Sequence, residues 1–417
     1  MKTLKSKAQT IINDILAENM PEASVTKALE THDFGDKKIY LVAIGKAAWT
    51  MTKAATAYLG ERVEKGVLIT KYGHSFGELP RINIFEAGHP TPDENTITAT
   101  QKVLDLIENL TAKDEVLFLI SGGGSALFEA PLEGVTLDEL AKINDEMLAS
   151  GANIVEINMI RKRLSKVKGG RFAKLCQPAS IFAIVLSDVL GDRLDTIASG
   201  PATADETTAK DALAVVKKYN LNVTELQKSY LLEEAPKRLE NVETVITGSV
   251  KSLCESAAKS AKKNGFKPYI LSTTLNCEAT DAGRFLASIA CDTAAGISTF
   301  EKPCAIIIGG ETVVTLRGNG KGGRNQQLAL AAAERISGLD QTLIFSLGSD
   351  GTDGPTDAAG GIVDGSTLEK LATIGINIDK ILANNDSYHG LQAVDGLIIT
   401  GPTGTNVNDV TVILCDV

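Results

Sequence analysis

An α/β fold of two domains, each a largely parallel β-sheet covered by helices, follows from three features of the sequence. Short, almost continuously apolar runs alternate with amphipathic stretches, the pattern of strands buried on both faces. The alternation occurs twice, on either side of a polar helical stretch at 206–240, which places domains at 1–240 and 241–417. The apolar runs also end repeatedly in glycine followed by a polar or charged residue, and parallel sheets bind ligands beyond the carboxyl ends of their strands. A length of 417 residues is itself too great for one ordinary core.

Taken in order, Ile11, Ile12, Ile15 and Leu16 at helical spacing predict an opening helix over 3–19. Lys38-Ile-Tyr-Leu-Val-Ala-Ile-Gly45 reads as a buried strand, with a helix beginning directly at Lys46. Gly66–Thr70 and Ile82–Glu86 are two more strands, 94–110 a helix, and Glu115–Ser121 the next strand. Residues 137–175 are helical, and Ser180–Ser187 is a strand that runs into Asp188. The second alternation predicts strands at 242–247, 268–272, Cys304–Ile308, Thr312–Leu316, Leu343–Leu347, 397–400 and 410–415. Helices are expected at 249–264, near 278–299 and after Asn325.

The organising stretch is Ser121-Gly122-Gly123-Gly124-Ser125 at the end of its strand. Three glycines cost folding entropy and pack nothing, so they mark backbone that must approach something closely. At the end of a buried strand such a turn can offer N–H groups to an anion. Gly45-Lys46 falls at an equivalent strand end.

The bulk numbers exclude several classes. A net charge of −10 argues against nucleic acid or an anionic membrane as the main partner. Six scattered cysteines without a Cys-x-x-Cys pair fit neither a zinc site nor a disulfide framework. No run approaches ~18 apolar residues, and the N-terminus leads into an amphipathic segment, so a cytoplasmic protein is expected. A homodimer is compatible with the sequence, which does not select an oligomeric state.

Gly318-x-Gly320-x-x-Gly323 formally matches the dinucleotide fingerprint, and Lys321 and Arg324 in the same loop favour phosphate. The acidic residue such a site wants about 20 residues on is missing; Asp350 lies 27 residues after Gly323. Neither Gly-Lys pair is followed by Ser or Thr, which excludes a P-loop, and no His-Arg-Asp loop accompanies Asp33-Phe34-Gly35. Acids gather at strand ends as Asp188 and Asp192, then Asp350, Asp353 and Asp357. Magnesium takes one or two carboxylates plus substrate phosphates, a role open to Asp188 and Asp192, while Asp353 and Asp357 can equally be turn formers. Arg161 to Arg171 holds six basic residues in eleven, either a solvated face or a source of positive potential. Phosphoryl transfer needs positioning and positive charge more than covalent help. Glycine turns, Lys46, Arg324 and the acids supply that set.

With these residues in view, the chain resembles the glycerate kinases whose second half is the MOFRL domain. The resemblance rests on Val42-Ala-Ile-Gly-Lys-Ala-Ala48, Gly88-His-Pro-Thr-Pro-Asp93, Leu119-Ile-Ser-Gly-Gly-Gly-Ser-Ala-Leu127, Lys168-Gly-Gly-Arg171 and Leu186-Ser-Asp-Val-Leu-Gly-Asp192. It continues in Gly309-Gly-Glu-Thr312, Gly320-Lys-Gly-Gly-Arg-Asn-Gln326, Gly351-Thr-Asp-Gly-Pro-Thr-Asp-Ala-Ala-Gly360, Asn385-Asp-Ser-Tyr388 and Gly401-Pro-Thr-Gly-Thr-Asn-Val-Asn-Asp409. It implies two α/β domains with the active site in the cleft between them. It also implies ATP and a divalent metal, here Mg²⁺, phosphorylating D-glycerate, in most members on the 2-hydroxyl. The family's essential lysine falls on Lys46 and its arginine on Arg324. The binding set is then Gly45, Ser121, Gly122, Gly123, Gly124, Ser125, Glu311, Gly322, Gly323, Asn325, Asp350 and Asp353. Arg163 departs from the family pattern, which bears on local substrate contacts. Two other readings stand beside the kinase. One is an NAD(P)H-dependent hydroxypyruvate reductase, a label relatives have carried; the other is a non-catalytic sugar-phosphate-binding module.

Overall fold

The computed structural model describes residues 3–187, 191 and 193–417, which form two compact units. The first unit, Pro21–Thr247, is built on β1 (Lys38–Ile44), β2 (Val63–Lys71), β3 (Ile82–Ala87), β4 (Asp114–Ile120), β5 (Ser180–Leu186) and β6 (Val242–Gly248). Their order across the sheet is β3-β2-β1-β4-β5-β6, with β1 parallel to β2 and β4, β2 parallel to β3, and β4 parallel to β5. This is the doubly wound order, in which the chain reverses its direction of travel between β1 and β4.

The alternation of side chains along the strands divides this sheet between two cores. Val42, Ile44, Phe118 and Ile120 face one way and pack with Ala99 and Val103 of helix Glu94–Ile107 and with Phe172. Leu41, Ala43, Leu117 and Leu119 face the other way, against Val25 of helix Pro21–Thr31 and Met51 of helix Ala48–Leu59. With both faces covered, the strands must be apolar throughout, which is why they read as continuous runs. The stretch expected to be helical at 137–175 is three helices, Leu137–Ala149, Ile154–Arg163 and Arg171–Leu175. The first two pack with helices Ala209–Lys218 and Glu225–Leu231 around Ile143, Met147, Ile160, Val215 and Leu231.

The second unit holds β7 (Lys267–Leu275), β8 (Cys304–Gly310), β9 (Thr342–Gly348), β10 (Gly360–Asp364), β11 (Leu397–Ile398) and β12 (Asp409–Cys415) in the order β11-β10-β9-β12-β8-β7. Strands β7, β8, β9 and β11 run in one direction, while β12 and β10 are inserted antiparallel among them. The sheet therefore shares a dominant strand direction, yet only β7 and β8 pair in parallel. Helices Ala279–Ala294 and Arg324–Arg335 cover one face through Ile306, Ile308, Ile344 and Ile413.

Three differences from the sequence reading have physical causes. Thr312–Leu316, expected as a strand, is irregular apart from an isolated bridge between Val313 and Glu278; Val313 and Leu316 are exposed. A β-forming composition without a neighbouring ladder makes no strand. Strand β10 was missed because its two glycines carry no apolar pattern. The units also divide differently from 1–240 and 241–417: the strand at 242–247, read as the start of the second domain, is β6 of the first sheet, and helix Leu4–Glu18 groups with Gly248–Val417. That helix packs on helix Val250–Lys263, where Ser260 donates to Asp14 (2.6 Å), and Lys7 pairs with Asp416 (2.6 Å).

Candidate active site

In the first unit the carboxyl ends of β1, β4 and β5 lie level, with Ile44 beside Ile120 and Ile120 beside Val185. Gly45-Lys46 and the Ser121–Ser125 turn leave the sheet here, at the reversal where doubly wound folds place ligands. The two turns are stitched together. Lys46 N donates to the Gly122 carbonyl (2.8 Å), and Ser121 Oγ accepts from Ala47 N (3.1 Å) while donating to the Ile44 carbonyl (3.2 Å). Gly45 has φ +113° and no room for a side chain, which would run into Ser121. The Ser121 hydroxyl thus positions backbone rather than facing a ligand. Ser125 Oγ bonds Ser199 Oγ (2.9 Å), which donates to Asn158 (2.9 Å). The helix expected to open at Lys46 begins at Ala48, so Lys46 sits in the turn before it.

Over this turn lie His89 and Lys46. A Cβ placed on Gly123, whose φ is +87°, would be 2.9 Å from His89 Cδ2 and 3.4 Å from Lys46 Cε. Burial, then the positive charges of Lys46, Lys71 and His74, hold the His89 imidazole below its ordinary pKa, so it is neutral near pH 7. Lys46 forms no ion pair among the described residues. In a chain of net charge −10, Lys46 and Lys71 leave positive charge at this strand end. His89 was passed over as a site residue because one histidine carries no spacing signal.

Much of the basic run at 161–171 is turned inward rather than solvated. Lys162, Arg163 and Lys168 are buried. Lys162 pairs with Asp205 (3.4 Å) and Asp195 (3.4 Å), and Arg163 with Asp205 (3.3 Å). Arg163 also donates to Thr207 Oγ1 (2.9 Å) and the Thr207 carbonyl (2.7 Å), so its departure from the family pattern touches internal packing. Lys168 donates to the Ser125 carbonyl (2.7 Å) and the Phe128 carbonyl (2.9 Å) and pairs with Glu129 (3.3 Å). Burial pushes its ammonium down to about 8 against the pull of Glu129.

In the second unit Arg324 opens helix Arg324–Arg335 in a shell of carboxylates. Its Nε and Nη2 hold Asp409 at 2.6 and 3.1 Å, and its Nη1 holds Glu311 Oε1 at 2.8 Å. Burial alone would lower the guanidinium pKa; Asp409 and Glu311 override it and raise it. Burial pushes Asp409 up to about 6 against the hydrogen bonds and charge of Arg324, and Asp353 adds to the rise. Asp353 accepts from Asn325 N (3.1 Å) and Gln326 N (2.8 Å), capping the helix from a distant loop. Asn325 in turn accepts from Ser346 Oγ (2.6 Å). Asp353 and Asn325, expected to bind substrate or nucleotide, therefore hold the helix start. Asp350 accepts from Thr352 N (3.0 Å) in its own turn, and Asp357 from Tyr388 (2.7 Å).

The glycine loop before Arg324 is tied down by its own chain. Asn385 Oδ1 accepts from Arg317 N (2.7 Å) and Gly318 N (3.1 Å), the Asn384 carbonyl from Gly320 N (2.9 Å), and Asp386 Oδ1 from Lys321 N (2.9 Å). Gly322 approaches Ser387, and Gly323 approaches Asp353, too closely for a side chain. Asp188 and Asp192, expected as metal ligands, lie outside the described residues. Among the described residues no three His, Cys, Asp or Glu side chains gather as a metal site, and no helix is long and apolar enough to cross a membrane.

Known proteins resemble the chain along its whole length. Residues 7–231 match a domain of unknown function, DUF4147, and residues 304–409 match the MOFRL family. The D-glycerate 2-kinase of Thermotoga maritima is 52% identical over 411 residues, covering 99% of this chain and 98% of the relative. A protein of Agrobacterium vitis named as a candidate hydroxypyruvate reductase is 36% identical over 409 residues, covering 97% and 93%. The crystal structure of a glycerate kinase from Thermotoga maritima superposes with a TM-score of 0.95 at 51% identity, covering 99% of each chain.

Proposed function

The chain belongs to the family of D-glycerate 2-kinases that join a DUF4147 domain to a MOFRL domain, and we infer that it transfers the terminal phosphoryl group of ATP to the 2-hydroxyl of D-glycerate. The observation that carries this reading is Lys46, which forms no ion pair among the described residues, in the turn where a doubly wound sheet receives ligands. A lysine there supplies a point charge to a carboxylate or phosphate oxygen. Arg324 supplies the second charge. Three of its five N–H donors are engaged by Asp409 and Glu311, which leaves one N–H on each of Nη1 and Nη2 for a phosphate. Because the fork is already braced, little side-chain entropy is lost when an anion arrives. That Lys46 and Arg324 serve one reaction is part of the proposal.

Mg²⁺ is proposed as the accompanying cation. The carboxylates around Arg324 are poor ligands for it, since Asp409 and Asp353 already accept from Arg324, Asn325 and Gln326. Asp188 and Asp192 remain the proposed ligands; they follow β5 in sequence, and β5 ends level with the β4 turn. Bound there, magnesium would neutralise charge on the phosphates.

The reductase reading loses its footing in the glycine loop. A dinucleotide site needs a strand before the loop and free loop N–H groups for the pyrophosphate. Here 312–316 is irregular, and N–H groups from Arg317 to Lys321 donate to the 384–386 segment. We expect ADP formation that requires D-glycerate, with the product identified as 2-phosphoglycerate by NMR, and no NADH oxidation with hydroxypyruvate. Activity should disappear with chelator and return with Mg²⁺, and Asp188→Asn should weaken that return. Robust NADH turnover by pure protein would overturn the kinase reading; an unchanged magnesium response in Asp188→Asn would remove that residue as a ligand.

A further inference from the structure

A cavity of about 140 Å³ opens in the first unit, walled by Pro90, Pro92, Leu140 and Ala141, with Arg161 and the carboxylates of Glu129 and Asp145 also on its lining. Two connections tie it to the candidate site. The His89–Pro92 segment runs from the Gly123 turn to the cavity wall, and Arg161 Nη2 donates to the carbonyl of Ser125 (3.0 Å) in that same turn. Among the basic residues of its run, Arg161 and Arg171 donate to backbone carbonyls rather than to a carboxylate, and of the two only Arg161 lines the cavity. Lys162, Arg163 and Lys168 each hold a carboxylate, whereas Arg161 forms no ion pair among the described residues. The nearest buried acid, Glu129, is held instead by Lys168 (3.3 Å) and by Ala130 N (3.0 Å). Burial lowers the Arg161 pKa, and the Glu129 charge only partly offsets it. A desolvated guanidinium without a carboxylate is costly unless a ligand supplies one.

We propose that this cavity receives the carboxylate end of the acceptor substrate and that Arg161 is the residue that selects a small hydroxy acid. The assignment rests on the kinase reading above for the identity of the acid. Size supports the acid over the nucleotide, since sites for drug-sized ligands run to ~300–1,000 Å³ and this one is far smaller. Carboxylate bound at Arg161 leaves the hydroxyl end of a three-carbon acid to extend toward the Lys46 turn, where the phosphoryl group would be received.

The test compares wild type with Arg161→Met and Ala141→Phe, the latter filling the cavity while leaving Arg161 in place. Steady-state kinetics with D-glycerate and with glyceramide, its uncharged amide, read the selection directly. Arg161→Met should raise KM for D-glycerate by ~30-fold or more, as for loss of a buried charge partner, leave KM for ATP unchanged, and collapse the preference for the acid over the amide. Calorimetric titration of D-glycerate without nucleotide should show binding to wild type and loss of it in both variants. A KM for D-glycerate that does not move, or a rise confined to KM for ATP, would overturn the assignment. If wild type forms no ADP, the kinase reading fails by itself, and the calorimetric comparison still decides the pocket. Ala141→Phe decides it should Arg161→Met fail to fold.

Discussion

Arg324 shows how a single side chain can be legible in sequence while its surroundings are not. A basic residue at a helix start is unfavourable for the macrodipole, and sequence reasoning therefore asks for a compensating anion. The anions are the protein's own Asp409, Glu311 and Asp353, so that argument does not by itself imply a bound phosphate. The part in catalysis proposed for the residue rests on its remaining donors. Arg324→Ala and Lys46→Ala should each lower turnover on the order of 10³-fold or more, by analogy with arginine contacts in other phosphoryl-transfer enzymes. Arg324→Lys should also be poor, because an ammonium cannot hold Asp409 through two nitrogens. Near-normal turnover in either alanine variant, with an unchanged melt, would remove that residue from the mechanism. Asp409 adds a pH signature. Its folded pKa, about 6, exceeds the ordinary unfolded value near 3.9, so between those values the folded state binds more protons. Its contribution to stability is therefore present below about pH 4 and is lost as pH rises through 6; the raised Asp353 acts in the same direction. Melts of wild type and Asp409→Asn between pH 4 and 7 should converge in slope differently: the variant lacks this decline, and equal slopes would contradict the assignment.

At the scale of elements, the helix Arg324–Arg335 is placed by contacts far apart in the chain. Its start lacks a side-chain cap of its own; Gly323 occupies that position because Asp353 must come against the backbone there. Asp353 takes the N–H groups of Asn325 and Gln326 and performs the capping. Asp353→Ala should accordingly cost about 0.5–2 kcal/mol, the range of a lost N-cap. Thermal melts would show this, with turnover falling through the displaced Arg324 while KM for ATP and D-glycerate stays near wild type. A large rise in either KM without loss of stability would return Asp353 to the binding role that the sequence suggested. The Lys46 turn is built more simply: β1 and β4 are neighbours, and short bonds between Lys46, Gly122, Ser121 and Ala47 fix the loop.

At the scale of the whole molecule, the second unit is completed by residues from the opposite end of the chain. Helix Leu4–Glu18 buries Ala8, Ile11, Ile12 and Ile15 and pairs Lys7 with Asp416, one residue before the last. An amphipathic stretch predicts a helix but not what will cover its apolar face. Ile12, fully buried, should cost about 2–5 kcal/mol when cut to alanine, the range for deleting a buried aliphatic side chain. Denaturant unfolding should show that loss; an unchanged midpoint would mean the helix is not integral to the unit.

The apolar strands β1 to β5 of the first unit, their helical covering and the turns Gly45-Lys46 and Ser121–Ser125 were readable from the sequence by itself, whereas β6 was read into the second domain. The reason is local: a strand buried on both faces must be continuously apolar, and a glycine run at its end is conspicuous. The family resemblance, carried by ordered motifs from Val42 to Asp409, was readable for the same reason. Only the tertiary structure decided what each charge meets. Lys162, Arg163 and Lys168 share a basic run with Arg161, yet three hold internal carboxylates and the fourth faces a cavity. The insertion of β12 between β8 and β9, and the capping of the Arg324 helix by Asp353, likewise came from the fold. Such pairings join residues tens to hundreds of positions apart, and their energies depend on burial and distance, neither of which is written in the order of residues along the chain.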